Sequence, residues 1–346
     1  MTEIHRPLRL NLDASALVQN WTVLSQASGG ATTGAAVKAD GYGLGACEVV
    51  KLLSRAGCAD FFVANWAEAL AISDLVPNEQ IAVLNGVQTE DLAAVAESGI
   101  APVLNSPLQI ARWKQAGGGR CHVMLDSGIN RLGIGPEQAD AALFGGLQID
   151  ILLSHLASAD EDVPQNAGQQ GMFRAMSADI PCQRRSLANS AGIQLGADYH
   201  FDLTRPGISI YGGIERPELA DALSQVVTVE AQLLQVRTLK RGDSVGYGAT
   251  FVCPNDMRVG TIAIGYADGY LRSFSNRGRC FANGAVLPVM GRISMDLTIV
   301  DLSNATVGEG DWIDVDFNLP AASAQSGLSQ YELLTSLGSR FTRLWS

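Results

Sequence analysis

Residues 35–44 read AAVKADGYGL, and this stretch carries the pattern from which the fold is predicted. The apolar run at residues 35–37 indicates a short buried strand that ends at Lys38, before a glycine-rich turn. A buried ammonium group is unfavourable unless it is paired, neutralised or chemically consumed. Lys38 is therefore either a strand-end residue whose stem covers the core while its charge reaches water, or a residue with a chemical role.

The same pattern recurs along the first two-thirds of the chain. The further apolar runs, each followed by a polar residue, are DFFVAN, IAVLN, APVLN, HVMLD, DILLSH, RRSLAN and FDLTRPG, which begin at residues 60, 81, 101, 122, 150, 184 and 201. Helix-like stretches such as CEVVKLLSRAG separate many of them and end on glycine. Short buried runs that alternate with helices indicate a parallel sheet. Eight such units fit a closed (β/α)8 barrel better than an open sheet.

Beyond residue 222 the pattern changes to β-rich runs split by Gly, Pro, Asn and Asp, such as VVTVEAQLLQVRTL and CFANGAVLPVMGRISMDLTIVDL. We therefore expect an α/β chain of two domains, with a (β/α)8 barrel at residues 1–222 and a mostly-β domain at residues 223–346.

The composition limits the partners. Apolar residues make up 47% of the chain and charged residues 17%, so a packed core is expected. The net charge of -11 argues against nucleic acid or an anionic membrane as a partner. No run approaches the ~18 apolar residues of a membrane span, and a cytoplasmic location is expected. The six cysteines are scattered without a C-x-x-C pair, which favours free thiols and no metal site.

The strand ends predict where the chemistry lies, because barrel enzymes carry their reactive groups there. The polar residues at these ends are Lys38, Asn65, Asn85, Asn105, Asp126, His155, Asn189 with Ser190, and Arg205. We expect the three early asparagines to be turn formers. A strand-end lysine can form a Schiff base with pyridoxal phosphate, and the small residues of ANSAG (188–192) and RPGIS (205–209) suit a phosphate.

The chain resembles the alanine racemases, which are fold-type III pyridoxal-phosphate enzymes. The matching stretches are AVKADGYGLG (36–45), LDSGINRLG (125–133), LSHLASAD (153–160), LANSAG (187–192), TRPGISIYG (204–212), VGYGATF (245–251), IAIGYADGY (262–270) and VMGRISMDLTIVDL (289–302). They follow the family's order across almost the whole chain.

The resemblance implies that the protein interconverts L- and D-alanine by proton transfer on pyridoxal 5'-phosphate and supplies D-alanine for peptidoglycan. Lys38 would hold the cofactor and act as the base for the D-enantiomer. Tyr247 would be the base for the L-enantiomer. In the family this tyrosine comes from the partner subunit, so a head-to-tail homodimer with shared active sites is expected.

The resemblance also implies the binding residues. Tyr42, Ser190, Gly207 and Ile208 would bind the cofactor's phosphate. Arg205 would face the pyridine nitrogen, with His155 near the ring. Arg131 and the backbone of the partner's Met295 would hold the substrate carboxylate, and Tyr266 would line the entry passage. Without the resemblance, Met295 would be interpreted as a core methionine.

The sequence departs from the family pattern beside the arginine that binds carboxylate. Met124 stands where many relatives have a lysine, with Ser127 and Ile129 nearby, so Arg131 must be oriented in another way. Ser339 replaces a phosphate-binding tyrosine of some relatives, so we expect a cradle hydrogen bond to be lost or changed.

Of three alternatives only the first remains open, because residues of this chain argue against the other two. The first is a racemase for serine or another amino acid. The second is a decarboxylase of basic amino acids, which would need a carboxylate in place of Arg205. The third is a pyridoxal-phosphate carrier, which would lack the β-domain with Tyr247 and Met295.

Overall fold

The computed structural model describes residues 5–95 and 97–346. Contacts between Cα atoms divide the chain into two compact units. The barrel unit comprises Leu17–Ser224, and the β unit comprises Gln225–Ser346 together with the described residues up to Ala16. Among the described residues, no helix combines the length and apolar character needed to cross a membrane.

The first elements among the described residues are strand β1 (Leu8–Leu12) and helix α1 (Ala14–Ala27). The strands of the barrel unit are β2 (Thr32–Thr33), β3 (Ala35–Ala36), β4 (Phe61–Val63), β5 (Ile81–Val83), β6 (Ala101–Leu104), β7 (Arg120–Met124), β8 (Gln148–Leu153), β9 (Arg184–Ser186) and β10 (Leu203–Thr204). Strands β3 to β9 form one parallel sheet in sequential order, and β10 pairs in parallel with β2.

The backbone around Gly34 joins the two sheets of the barrel unit. The Gly34 amide donates to Thr204 O at 3.0 Å, and the Ala36 amide donates to Pro206 O at 2.9 Å. A Cβ atom on Gly34 would lie 2.8 Å from Asp60 O, so this close approach requires glycine. Strand β10 also lies against β9, so the eight apolar runs of the sequence form a closed ring, and the predicted (β/α)8 barrel is confirmed.

Helices follow most of these strands. They are α2 (Lys38–Tyr42), α3 (Ala46–Arg55), α4 (Trp66–Ile72), α5 (Leu92–Val95), α6 (Pro107–Gln115), α7 (Ala141–Phe144) and α8 (Pro164–Ser177), with 3-10 turns at Asn78–Gln80, Ala191–Leu195, Ala197–Tyr199, Ile208–Tyr211 and Pro217–Leu219. The expected turn role holds for Asn65, whose side chain caps α4 by accepting from the Glu68 amide at 3.0 Å. The side-chain amide of the buried Asn105 donates to Leu84 O at 2.9 Å, which joins neighbouring strand ends.

The interior of the barrel is apolar. One buried cluster contains Phe62, Ala82, Val103, Met124, Ile151, Leu153 and Leu203, contributed by six strands. Met124 is thus a packing residue in this structure, with only 9% of its surface exposed.

The β unit contains the remaining strands. They are β11 (Val227–Leu239), β12 (Ser244–Val245), β13 (Phe251–Val252), β14 (Met257–Ile262), β15 (Arg279–Ala282), β16 (Ala285–Met290), β17 (Thr298–Asp301), β18 (Trp312–Val315) and β19 (Thr342–Trp345). Helices α9 (Leu319–Ser326) and α10 (Gln330–Thr335) and the 3-10 turns Tyr247–Ala249, Tyr266–Asp268 and Arg272–Phe274 complete it.

Strand β11 closes the β unit into a barrel. The sheet runs β14-β17-β16-β15-β18-β11-β1-β19, and the second half of β11 also pairs with β14. Strand β1 lies antiparallel to β11 and parallel to β19, so the amino-terminal strand belongs to this unit. Strand β19, near the carboxyl terminus, is therefore a paired strand of the same sheet.

Candidate active site

Lys38 lies two residues beyond the end of strand β3, at the carboxyl end of the barrel strands, where the sequence predicted it. The chain then makes a left-handed turn, with φ of 53° at Ala39, 54° at Asp40, 61° at Gly41 and 55° at Tyr42. Left-handed backbone costs about 1–2 kcal/mol for each residue other than glycine. A turn with three such residues persists only because neighbouring groups hold it.

Several contacts hold this turn. Asp40 Oδ1 accepts from the Ala46 amide at 2.8 Å, which ties the turn to the start of α3. The Tyr42 ring stacks on the Tyr211 ring with centroids 4.6 Å apart. The Tyr211 hydroxyl donates to Ala36 O at 2.9 Å, so the stack is anchored to strand β3 itself.

Arg205 follows strand β10 and is almost fully buried. Its guanidinium donates to Ser154 O at 2.7 Å and to the Ser186 hydroxyl. These acceptors are neutral, and no carboxylate of the described residues forms an ion pair with Arg205. Burial alone lowers the pKa of Arg205 to about 10, so the group is cationic at neutral pH.

The positive charges in the barrel act on Lys38 and His155. Burial lowers the pKa of Lys38, and the charges of Arg131 and Arg205 lower it further, while Glu68 opposes them. Burial, Arg205, Arg131 and Lys38 lower the pKa of His155 to about 3. At neutral pH His155 is therefore uncharged, and Lys38 has a larger neutral fraction than an exposed lysine. A neutral amine is the form that reacts with a carbonyl group.

The loops after strands β9 and β10 form a cradle of hydroxyls and amides. The Ser190 hydroxyl accepts from the Gly207 amide at 2.9 Å and from the Ser209 amide at 3.3 Å. The buried Ser209 hydroxyl has no hydrogen-bond partner among the described residues. Burial raises the pKa of Tyr42, which keeps its hydroxyl protonated as a donor. The Ser209 hydroxyl, which lacks a partner among the described residues, is a donor that fits a phosphate group.

Gly207 sets the space within this cradle. A Cβ atom on Gly207 would lie 2.2 Å from the Tyr42 hydroxyl oxygen, so only glycine allows the two groups to approach. We expect Gly207→Ala to displace the Tyr42 hydroxyl and weaken pyridoxal phosphate binding about 10- to 100-fold, the effect of one hydrogen bond to a charged group. The measurement is the dissociation constant of pyridoxal phosphate, obtained by titrating the apoprotein with the cofactor and following fluorescence. Gly168→Ala on α8 has open space around its Cβ and serves as the control.

Arg131 lies in a loop that Asp126 organises. Asp126 Oδ1 accepts from the amides of Gly128, Ile129 and Asn130 at 2.9, 3.0 and 3.2 Å. The Asp126 amide donates to Ile134 O at 2.9 Å, so the loop is tied at both ends. The loop is therefore held by its own hydrogen bonds, while the Met124 side chain packs into the apolar interior.

In the β unit, Tyr247 occupies the turn between β12 and β13, with 68% of its surface exposed. Gly246 and Gly248 on either side have φ of 70° and 72°. A Cβ atom on Gly248 would lie 3.1 Å from Arg292 Nη1, so this cation lies beside the turn.

Met295 is 54% exposed, so its interpretation as a core methionine is wrong. A Cβ atom on Gly265 would lie 2.4 Å from Met295 O, so the two chain segments pack backbone against backbone. The amides of Tyr266 and Ala267 donate to Ser294 O and Met295 O, both at 3.0 Å. The motifs that contain Tyr266 and Met295 thus form one surface.

The structure gathers most of the predicted residues in the barrel unit. Those at or near the carboxyl ends of its strands are Lys38, Tyr42, Arg131, His155, Ser190, Arg205, Gly207 and Ile208. Tyr247 and Met295 lie in the β unit. Sequence reasoning missed Glu68, whose charge acts on Lys38, and the hydroxyl of Ser209. The only signal for Glu68 was its place three residues after the helix cap Asn65.

Two family models match the chain. Residues 12–215 match the alanine racemase N-terminal domain, and residues 226–345 match the alanine racemase C-terminal domain. The alanine racemase of Rhodospirillum rubrum is 41% identical, over 96% of this chain and 94% of its own. The alanine racemase of Rhizobium meliloti is 39% identical, over 97% of this chain and 96% of its own.

A solved structure shares the whole fold. The crystal structure of alanine racemase from Bartonella henselae with covalently bound pyridoxal phosphate superimposes with a TM-score of 0.92. It is 36% identical and covers 99% of this chain and 100% of its own.

Proposed function

Because this chain belongs to the alanine racemase family, we propose that it interconverts L- and D-alanine with Lys38 and Tyr247 as the two proton-transferring residues. The observation that supports this most strongly is the position of Lys38, a partly buried lysine among cationic neighbours at a barrel strand end. The enzymes of this family depend on pyridoxal phosphate, which when bound withdraws electrons from the substrate's α-carbon and so acidifies its α-hydrogen.

Lys38 can hold the cofactor and then move a proton. Its lowered pKa favours the neutral amine, which serves first as nucleophile and later as base. Ser190, Tyr42 and the amides of Gly207 and Ile208 would hold the phosphate. Arg205 would lie against the pyridine nitrogen, where a guanidinium that keeps its own proton gives none to the ring.

A second base is needed because racemisation adds and removes a proton on opposite faces of one carbon. The exposed Tyr247 suits this role when a partner covers it, and the exposed Met295 marks the same unit as a surface that can be covered. We therefore infer a head-to-tail homodimer in which each β unit completes the site of the other subunit. Arg131 and the backbone of the partner's Met295 would bind the carboxylate.

The direct test is exchange of the α-hydrogen with solvent deuterium. L- and D-alanine should both exchange in the presence of the purified holoenzyme, followed by proton NMR. Absence of exchange from both enantiomers would overturn the proposed function. Serine and other amino acids in the same assay define the substrate range.

For the physiological role, we propose supply of D-alanine for peptidoglycan in the cytoplasm. Relatives from Agrobacterium fabrum named catabolic and biosynthetic alanine racemase are 40% and 38% identical, so overall identity favours neither role. Deletion of the gene in its host should create a growth requirement for D-alanine. Growth without D-alanine, combined with lost growth on alanine as the carbon source, would instead support a catabolic role.

A further inference from the structure

The peptide that follows Lys38 is held by a side chain from the next βα unit. Glu68 lies in the first turn of α4, and its Oε1 accepts from the Ala39 amide at 2.9 Å. Its Oε2 accepts from the Ala64 amide, just beyond strand β4, at 2.7 Å. One carboxylate therefore joins the carboxyl ends of two adjacent barrel strands.

This bridge begins where the strand ladder ends. The Val37 amide donates to Phe62 O at 2.9 Å, and the chain then departs from the sheet into the left-handed turn. In a continued strand the Ala39 amide would donate to a backbone carbonyl of the neighbouring strand. Here it donates to the Glu68 carboxylate instead. Since the peptide plane between Lys38 and Ala39 sets the direction of the Lys38 Cα–Cβ bond, the carboxylate restrains where the ε-amino group can lie.

Glu68 is itself fixed by the helix cap. Its amide donates to Asn65 Oδ1 at 3.0 Å, which sets the first turn of α4 against the end of β4. Aspartate has a side chain one methylene shorter, so at this position its carboxylate could accept from these two amides only if the turn moved. A series of hydrogen bonds through Asn65, Glu68 and Ala39 therefore connects the capped helix to the peptide that follows Lys38.

We propose that Glu68 is a positioning residue for Lys38, whose carboxylate fixes the peptide after the lysine and so holds the ε-amino group in its working position. This inference rests on the role proposed for Lys38. Glu68 also acts through its charge: it favours the protonated lysine, against the opposing effects of Arg131 and Arg205. His155, whose pKa is in turn lowered by the charge of Lys38, is uncharged at neutral pH and adds no charge.

The test compares Glu68→Gln and Glu68→Ala with the wild type. Glutamine keeps one acceptor oxygen and loses the charge, whereas alanine loses both acceptors. We expect kcat of the holoenzyme to fall about 10- to 100-fold for Glu68→Ala and less for Glu68→Gln, as for a reacting group displaced by about 1 Å, with little change in KM for alanine. Glu90→Gln, an exposed acid, is the matched control and should leave kcat unchanged.

Two readouts separate positioning from a general loss of structure. Amide hydrogen exchange in the segments that contain Ala39 and Ala64 should become faster in Glu68→Ala, while the rest of the barrel stays protected. The rate at which the apoprotein recombines with pyridoxal phosphate depends on neutral Lys38. Because the carboxylate raises the pKa of Lys38, its removal should shift this pH profile to lower pH in Glu68→Gln.

Unchanged exchange at Ala39 in Glu68→Ala would overturn the proposal. So would an unshifted pH profile in Glu68→Gln together with wild-type kcat. If Lys38→Ala retained the absorbance band of the lysine-bound cofactor, the proposed function would fail instead. The exchange result would still report on the contact between Glu68 and Ala39, so the two failures are distinguishable.

Discussion

Lys38→Ala should lower the racemisation of alanine by about 10⁴-fold or more in both directions, because it removes a base and the group that holds the cofactor. The Lys38 amine, whose pKa is lowered by burial and by the charge of Arg131, has no substitute at this position. His155 cannot replace it, since its pKa of about 3 makes it a weak base. The purified variant should also lose the absorbance band of the lysine-bound cofactor, which is measured together with kcat.

Lys51→Ala on α3 is the matched control, since this lysine lies on the helix surface beside Glu48. It should keep both the band and the activity. Retention of more than about one hundredth of the wild-type kcat by Lys38→Ala would contradict a role for Lys38 as an essential base.

Tyr247→Phe should slow the exchange of the α-hydrogen of L-alanine about 10²- to 10⁴-fold, the usual effect of losing a general base. Exchange from D-alanine should fall far less, because Lys38 still serves that face. Overall racemisation rates cannot show this asymmetry, since the two enantiomers have equal free energy and both directions must slow together. The measurement is therefore deuterium incorporation from each pure enantiomer at early times.

Tyr199→Phe, a substitution of the same kind away from the site, should leave both exchange rates unchanged. Equal loss of exchange from both enantiomers in Tyr247→Phe would refute the assignment of the two faces.

The barrel could be predicted because its signal is local. Each buried run is short, ends at a polar residue and is followed by a helix, so AAVKA and its seven successors are recognisable one at a time. The parallel order then follows from the alternation of strands and helices. The location of Lys38 and Arg205 could be predicted for the same reason, since a residue at the end of such a run lies at the carboxyl end of the barrel strands, where barrel enzymes carry their reactive groups.

The features that the sequence did not reveal depend on distant partners. Leu8–Leu12 alternates like any half-buried strand, and nothing within it shows that it pairs with Val227–Leu239. Methionine is a residue type common in protein cores, but Met295 is exposed in a loop whose backbone packs closely against Gly265. Glu68 looks like an ordinary first-turn acid, and only the fold brings it to the Ala39 amide.

Mixing two inactive variants tests the shared active site most directly. In a dimer of Lys38→Ala with Tyr247→Phe, one site lacks both residues and the other has both intact. Random re-association of equal amounts should therefore restore about a quarter of the wild-type activity if each site takes Lys38 from one subunit and Tyr247 from its partner. Activity that stays at the sum of the two separate variants would contradict a site shared between subunits.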